Sequence, residues 1–490
     1  MTSNLIIPGF NPDPSVVRVG DEYYLATSSF EYQPALPVYH SRDLTDWKLI
    51  GHVVEQPGIL EKGVRTCGGI WAPTIRYHEG SFYLIGTDAM GRGNLLFTAD
   101  DPSGPWSDPT LLGEIHGIDP DLAWDADGNC YVTFSGLLLE PPHGHLGIQQ
   151  VRIDPSTGHI LEQPRSIWSG TGLKFPEAPH LYRVGEWWYL MIAEGGTERG
   201  HSVSIARSKS PDGPFIGCPG NPILSAKGTN RVVQNTGHGD LVIAPDGSWR
   251  MVLLGVRTTG GTRSFSPLGR ESFITSVEWV DEWPVVDPVE LPGVVSAPTF
   301  SDEFQDFRLG PEWIGVRRLP SAFAETANGV LRISGEHRTM DDPEPTFVGR
   351  RVRRLDARVR TSVSTRRGVG GLAIRYDEDH HYDIEIDGDE VIARATVASI
   401  TDERRMTVPP GSIVLFAEAR MPNGMFAMTS DLIALGFESD GVRHDVAVFD
   451  GRYLTAETAC SFTGRVAGMY CVSGELAFDF YREDGVHDAW

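Results

Sequence analysis

Cysteine is scarce in this chain. There are five in 490 residues (Cys67, Cys130, Cys218, Cys460 and Cys471), odd in number and scattered, with no CxxC pair. That argues against a dense disulfide framework and a thiolate zinc site, and makes five reduced thiols in a cytoplasmic protein the plain expectation. Long apolar runs are missing too. No stretch approaches about 18 uninterrupted apolar residues, so no membrane-spanning helix is expected. Met1 to Phe10 lacks the basic-then-apolar pattern of a signal peptide. Positive charge is in deficit, with 42 Lys plus Arg against 66 Asp plus Glu and a formal net charge of −24. Such a surface repels phosphate backbones and anionic lipid, so neither nucleic acid nor a membrane is an expected partner. Amphipathic helical windows are few.

What is abundant is turn chemistry and aromatic residues: 55 Gly, 34 Pro and an aromatic fraction of 10%. Short runs of Val, Ile, Leu, Tyr, Phe and Trp broken by Gly, Asp or Pro read as β-strands. One pattern recurs five times, opening at Asp13, Ala72, Asp119, Ala178 and His238. Each copy continues with apolar positions, an Asp/Gly turn and an aromatic strand. A second element, such as Tyr39-His-Ser-Arg-Asp-Leu-Thr-Asp-Trp47, follows three of the copies at nearly constant phase. A period near about 55 to 60 residues, with room for four strands, is that of a propeller blade, so five blades are expected. The repeats stop near Glu278, and the Pro- and Val-rich stretch Trp283 to Pro298 reads as a stiff connection. Alternating strands beyond Phe300 suggest a second, sandwich-like domain. The expected organisation is all-β: a propeller over 1–290, a linker over 291–300 and a β-sandwich over 301–490.

In a propeller the residues that open the innermost strands converge on one axis. Here they include Asp13, Asp119 and His238, with Glu177 one position before Ala178. Asp before Pro is a common turn former, which explains any one of these acids alone. Three acids and a histidine at one phase of different blades are better explained by a shared axial site. Crowded carboxylates drive one another's pKa values apart, giving the protonated acid and ionised base that glycoside hydrolysis requires. Glu177 stands one residue out of register, so strict strand alternation would turn it away from the axis.

The segments Asn11-Pro-Asp-Pro-Ser15, Gly68-Gly-Ile-Trp-Ala-Pro73, Gly117-Ile-Asp-Pro120 and Lys174-Phe-Pro-Glu-Ala-Pro-His180 resemble glycoside hydrolase family 43. So do Glu194-Gly-Gly-Thr197, Asn235-Thr-Gly-His-Gly-Asp240 and Leu268-Gly-Arg-Glu271. The branch resembled is that of β-xylosidases and α-L-arabinofuranosidases, a five-bladed propeller followed by a jelly-roll or concanavalin-like sandwich. The resemblance implies Asp13 as general base, Glu177 as general acid and Asp119 as the carboxylate that raises and orients the acid. It implies inversion of the anomeric centre, with base and acid roughly 6.5–9.5 Å apart. It also implies Arg270, His238, Trp71, Phe30 and Thr197 as substrate-binding residues. No cofactor is required; a calcium-type ion at the axis near His238 is the alternative to a purely structural histidine.

The implied partner is an oligosaccharide, and a homo-oligomer is compatible with the sequence. Release of terminal β-1,4-linked xylose from xylo-oligosaccharides is the expected reaction. Arabinofuranosidase activity, alone or combined, is the alternative, and a non-catalytic carbohydrate-binding propeller is the reading from another class. Three departures bear on the sugar. Val466 stands where related β-xylosidases place a pocket-closing aromatic, Gly136 to Gln149 lacks a Trp common near the leaving-group subsite, and Tyr32-Gln-Pro-Ala35 replaces a more usual Phe-Pro-Gly. Asp377-Glu-Asp-His-His381 reads as an exposed sandwich turn rather than a metal site, and Arg350, Arg351, Arg353 and Arg354 as a basic cluster paired with acids.

Overall fold

Short strands joined by tight turns place almost every ordered segment in a sheet. A computed structural model describes residues 4–59, 64–138, 141, 144–261, 264–291, 297–409, 411–422, 427–459 and 462–485, except the side chains of 365 and 366. The fold is all-β: a five-bladed propeller followed by a β-sandwich. The innermost strands of the blades are Ser15–Val19, Gly69–His78, Gly117–Trp124, Glu177–Val184 and Val233–Ile243. Each leads antiparallel sheets such as Ser15–Val19, Glu22–Ala26, Ala35–Ser41 and Lys48–Val54 in the first blade. Strands such as Ser81–Ala89 are buried along nearly their whole length because neighbouring blades cover both faces. The ring is closed by Leu5–Ile7, which pairs with Phe273 and Ser272 in the third strand of the last blade.

The stretch read as a linker begins as a strand. Trp283–Val286 pairs with Val277 to Val280 and widens the fifth blade, so the connection starts after it. Phe300–Asp302 already belongs to the second domain, pairing with Tyr481 to Glu483. That domain is organised by two long partners, Ala357–Asp377 and Val466–Gly485, whose register runs from Ala357 opposite Gly485 to Arg375 opposite Val466. Its core holds Leu372, Ile384, Leu415, Leu435, Met469 and Phe478, all fully buried.

The two domains share polar and backbone bonds. Tyr32 and Gln33 of the first blade pair with Val316 and Gly315. The fully buried Tyr32 hydroxyl accepts from Arg375 Nη1 at 3.1 Å, so this departure from the family pattern serves docking. Asp377-Glu-Asp-His-His381 is a turn of the sandwich, between strands Ala357–Asp377 and His380–Asp387, but only Asp379 in it is exposed. Asp377 and His381 are buried, and Glu378 accepts from Thr66 of the propeller and from Arg317 at 3.1 Å. His380 and His381 bond different carboxylates, Asp377 and Asp341 with Asp383, as opposite faces of one strand require. The expectation of five reduced thiols is also corrected: Cys67 is disulfide-bonded, Cys130, Cys218 and Cys471 are free, and Cys460 lies outside the described residues.

Candidate active site

All five strand openers share one unusual backbone conformation. Asp13, Ala72, Asp119, Ala178 and His238 have φ of 57°, 41°, 54°, 50° and 47°, the left-handed region that non-glycine residues rarely adopt. In four blades the strand register shifts across the opener, from Trp71 to Thr74, Ile118 to Asp121, Glu177 to His180 and Gly237 to Asp240. A bulge of this kind lets consecutive side chains face the same side. It removes the objection to Glu177: the residue before the opener reaches the axial pocket together with the openers. Trp71 and Ile118 hold the corresponding place in their blades and line the same pocket.

That pocket, a cavity of about 340 Å³, brings together every site residue expected from sequence: Asp13, Asp119, Glu177, Arg270, His238, Trp71, Phe30 and Thr197. Sequence reasoning missed Ile118, Leu137, His145, Phe175, Glu198 and Phe462. Phe462 is the most consequential. It comes from the sandwich, stacks on Phe30 at 6.0 Å with an interplanar angle of 3°, and lies 5.3 Å from Trp71. Val466, the position singled out for a missing aromatic, is fully buried among Phe347, Ala373 and Tyr470. The aromatic wall is therefore present, supplied four residues earlier. Leu137 and His145 line the side formed by the segment without a Trp; its residues 139, 140, 142 and 143 lie outside the described set.

Asp13 is held ionised. Arg270 Nη1 and Nη2 donate to its two oxygens at 2.9 and 3.4 Å, and Ser28 Oγ donates at 2.6 Å. Burial works to raise its pKa, but the Arg270 charge and the Ser28 bond bring it below the ordinary carboxylate value. Ser28 Oγ also accepts from the Ala72 N–H at 2.6 Å, tying the first two blades at the base. The remaining bonds of the Arg270 fork go to Thr197 Oγ1 at 3.2 Å and the Phe462 carbonyl at 3.2 Å. In this arrangement Nη1 and Nη2 are turned on Asp13, Thr197 and Phe462, and a sugar hydroxyl meets either of them by taking over one of these bonds.

Glu177 is driven the other way. Burial and then the nearby Asp119 carboxylate push its pKa well above the ordinary value, against the pull of Arg270. Asp119 is raised by burial and by Asp13, while its Oδ2 accepts from the Ala178 N–H at 3.1 Å. The loop that delivers Glu177 is anchored by the buried Glu194, which accepts from Thr171 N at 3.1 Å and Thr171 Oγ1 at 2.8 Å. His238 stays neutral, its pKa lowered to about 3 chiefly by burial, with Nδ1 3.4 Å from Asp13 Oδ1. Gly237 before it is required by space: a Cβ there would lie 2.4 Å from the His201 ring.

The residues around His238 do not fit a calcium-type ion. Asp13 is already neutralised by Arg270. Below it the axis is filled by Arg76, whose guanidinium bonds Asp121 at 2.7 Å and Asp240 at 2.8 Å. Among the described residues no group of three or more His, Cys, Asp or Glu is placed to hold a metal.

Glu177 carries a stability cost that follows from its shift. An acid whose pKa is higher folded than unfolded disfavours the folded state as pH rises from the unfolded value, about 4.3 for Glu, through the folded one. Glu177→Gln cannot ionise. It is expected to melt above the wild type at pH 8, with the difference disappearing near pH 4, as thermal melts across that range will check.

The fold and site define a hydrolase class. The chain matches the family model Glycosyl hydrolases family 43 over residues 2–284 and Beta xylosidase C-terminal Concanavalin A-like domain over residues 301–480. The chain belongs to glycosyl hydrolase family 43. It is 37% identical to the non-reducing end α-L-arabinofuranosidase BoGH43B of Bacteroides ovatus, covering 95% of this chain and 90% of the relative. It is 31% identical to a β-xylosidase of Bacillus subtilis, covering 83% of each. The solved xylan β-1,4-xylosidase of Bacillus halodurans superposes with a TM-score of 0.87 at 29% identity, covering 99% of this chain and 100% of that one.

Proposed function

We propose that the chain is an exo-acting, inverting glycosidase that releases terminal β-1,4-linked xylose from the non-reducing ends of xylo-oligosaccharides. The carrying observation is the opposite bias of two acids on one pocket, Asp13 toward the carboxylate and Glu177 toward the acid. Asp13 takes a proton from a water as its oxygen attacks the anomeric carbon. The bond to the leaving oxygen breaks, and Glu177 gives that oxygen its proton. Asp119 keeps Glu177 protonated by its charge. Arg270 acts first as the counter-charge of Asp13 and, through Thr197 and the Phe462 carbonyl, fixes it to both domains. Phe30, Trp71 and Phe462 offer apolar faces to the sugar ring.

A xylosidase reading is supported by the Bacillus relatives and by the aromatic that Phe462 restores. The B. ovatus relative makes arabinofuranose the competing sugar. Aryl β-D-xylopyranoside and α-L-arabinofuranoside, each followed by NMR of the first-formed product, are expected to show the xyloside turned over faster, with α-xylose appearing first. A β-xylose product would overturn inversion, and faster arabinofuranoside turnover would overturn the sugar assignment.

A further inference from the structure

The basic cluster Arg350 to Arg354 is only partly paired with acids. Arg350 is bonded to Glu483, and Arg354 lies 3.2 Å from Asp356. Arg351 is different. It is 6% exposed, and its Nε and Nη2 have no hydrogen-bond partner among the described residues. It lines a cavity of about 260 Å³ between the domains, with Arg350, Arg353 and Lys48 on the same walls. Arg353 Nε is likewise buried and unpartnered. The acid on the cavity wall, Glu312, makes no ion pair with any of them among the described residues, and the Tyr39 hydroxyl donates to Asn11 at 2.6 Å. His52, close enough for the Arg351 charge to act on it, is buried with both ring nitrogens unpartnered, and an imidazole supplies no negative charge.

A guanidinium stays charged at every accessible pH, so burial cannot be relieved by losing a proton. A buried charge with no counter-charge is among the most destabilising features a fold can carry. A planar fork with two adjacent free N–H groups, in a cavity with further cations, is the geometry that binds two oxygens side by side. We propose that this interdomain cavity binds a small oxyanion, of carboxylate or phosphate type, through Arg351 Nε and Nη2 with Arg353 assisting. The site is separate from the catalytic pocket: the Arg351 guanidinium lies 5.1 Å from the ring of Phe10, which in turn backs onto Phe30.

The test is thermal melting of the full chain at constant ionic strength, with sodium chloride replaced stepwise by sodium phosphate or by sodium acetate. The wild type is expected to show a saturable rise in Tm with at least one oxyanion, and the one that acts identifies the class. Arg351→Met is expected to melt no lower than the wild type without oxyanion and to show no response. Arg353→Gln should need more anion for the same rise. Glu312→Gln should keep or strengthen the response; a loss of stability there without anion would make Glu312 the true partner and overturn the proposal. So would an absent rise, an equal rise in Arg351→Met, or loss of the rise in Asp13→Asn. If Arg351→Met does not fold, Arg351→Lys and a crystal grown in phosphate decide. Density for water alone, or for an adventitious ion only elsewhere, overturns the proposal.

Discussion

Asp13→Asn is expected to lose roughly 10²- to 10⁴-fold in kcat on every substrate, whatever the leaving group, because the water then has no base. Glu177→Gln is expected to behave differently. On xylobiose, whose leaving alkoxide needs a proton, the loss should be of the same order. On an aryl xyloside with a strongly acidic phenol it should be small, since that oxygen departs without protonation. The two variants thus separate base from acid by leaving-group dependence. The pH profile should agree. Under the proposed mechanism the acid limb is expected to follow Asp13, whose pKa lies below the ordinary carboxylate range, and the alkaline limb the Asp119 and Glu177 pair, raised by burial and by neighbouring carboxylates. Glu177→Gln should erase the alkaline limb on the activated substrate and leave the acid limb in place. An Asp13→Asn protein that is folded and keeps wild-type turnover would end the assignment.

The second large effect is on stability. Arg76→Met is expected to destabilise the protein by about 3–5 kcal/mol, because it strands two fully buried carboxylates, Asp121 and Asp240. The Arg76 guanidinium, from the second blade, also bonds Ser15 Oγ of the first at 3.1 Å and lies 3.0 Å from His180 Nδ1 of the fourth. With Asp121 from the third blade and Asp240 from the fifth, one cation joins all five. Asp240 in turn accepts from Ser15 Oγ at 2.8 Å, Val16 N at 2.9 Å and Tyr182 at 2.5 Å. Adding Asp121→Asn and Asp240→Asn to Arg76→Met should return part of the loss, as chemical denaturation will check. A single variant as stable as the wild type would show that the hub does not hold the ring.

The blade count and the three acids were legible in the sequence because both rest on position within a repeat. Asp13, Asp119 and His238 share a phase, and phase survives in a linear chain. What could not be read was direction. Glu177 looked misplaced by one residue because period-two alternation was assumed; the left-handed opener at Ala178 breaks that alternation, and nothing in the letters Glu-Ala-Pro announces it. Phe462 was overlooked for another reason. Its role depends on how the sandwich docks, and the docking surface is made by Tyr32, Arg317, Arg375 and Glu378, residues far apart in sequence. Trp283–Val286 read as linker because Pro is rare inside sheets, yet an outermost strand tolerates it.

The strand that closes the ring also orders events during synthesis. Leu5–Ile7 is made well before its partner in Glu271–Val280, the third strand of the last blade. At about 5–20 residues per second, roughly 13 to 55 s separate the two on the ribosome. Through that interval Leu5–Ile7 has no partner strand, Asp13 lacks the Arg270 counter-charge, and the pocket lacks the wall that Phe462 completes later still. The nascent chain therefore holds Asp13 long before the pocket around it, which is complete only after both domains have been made and docked.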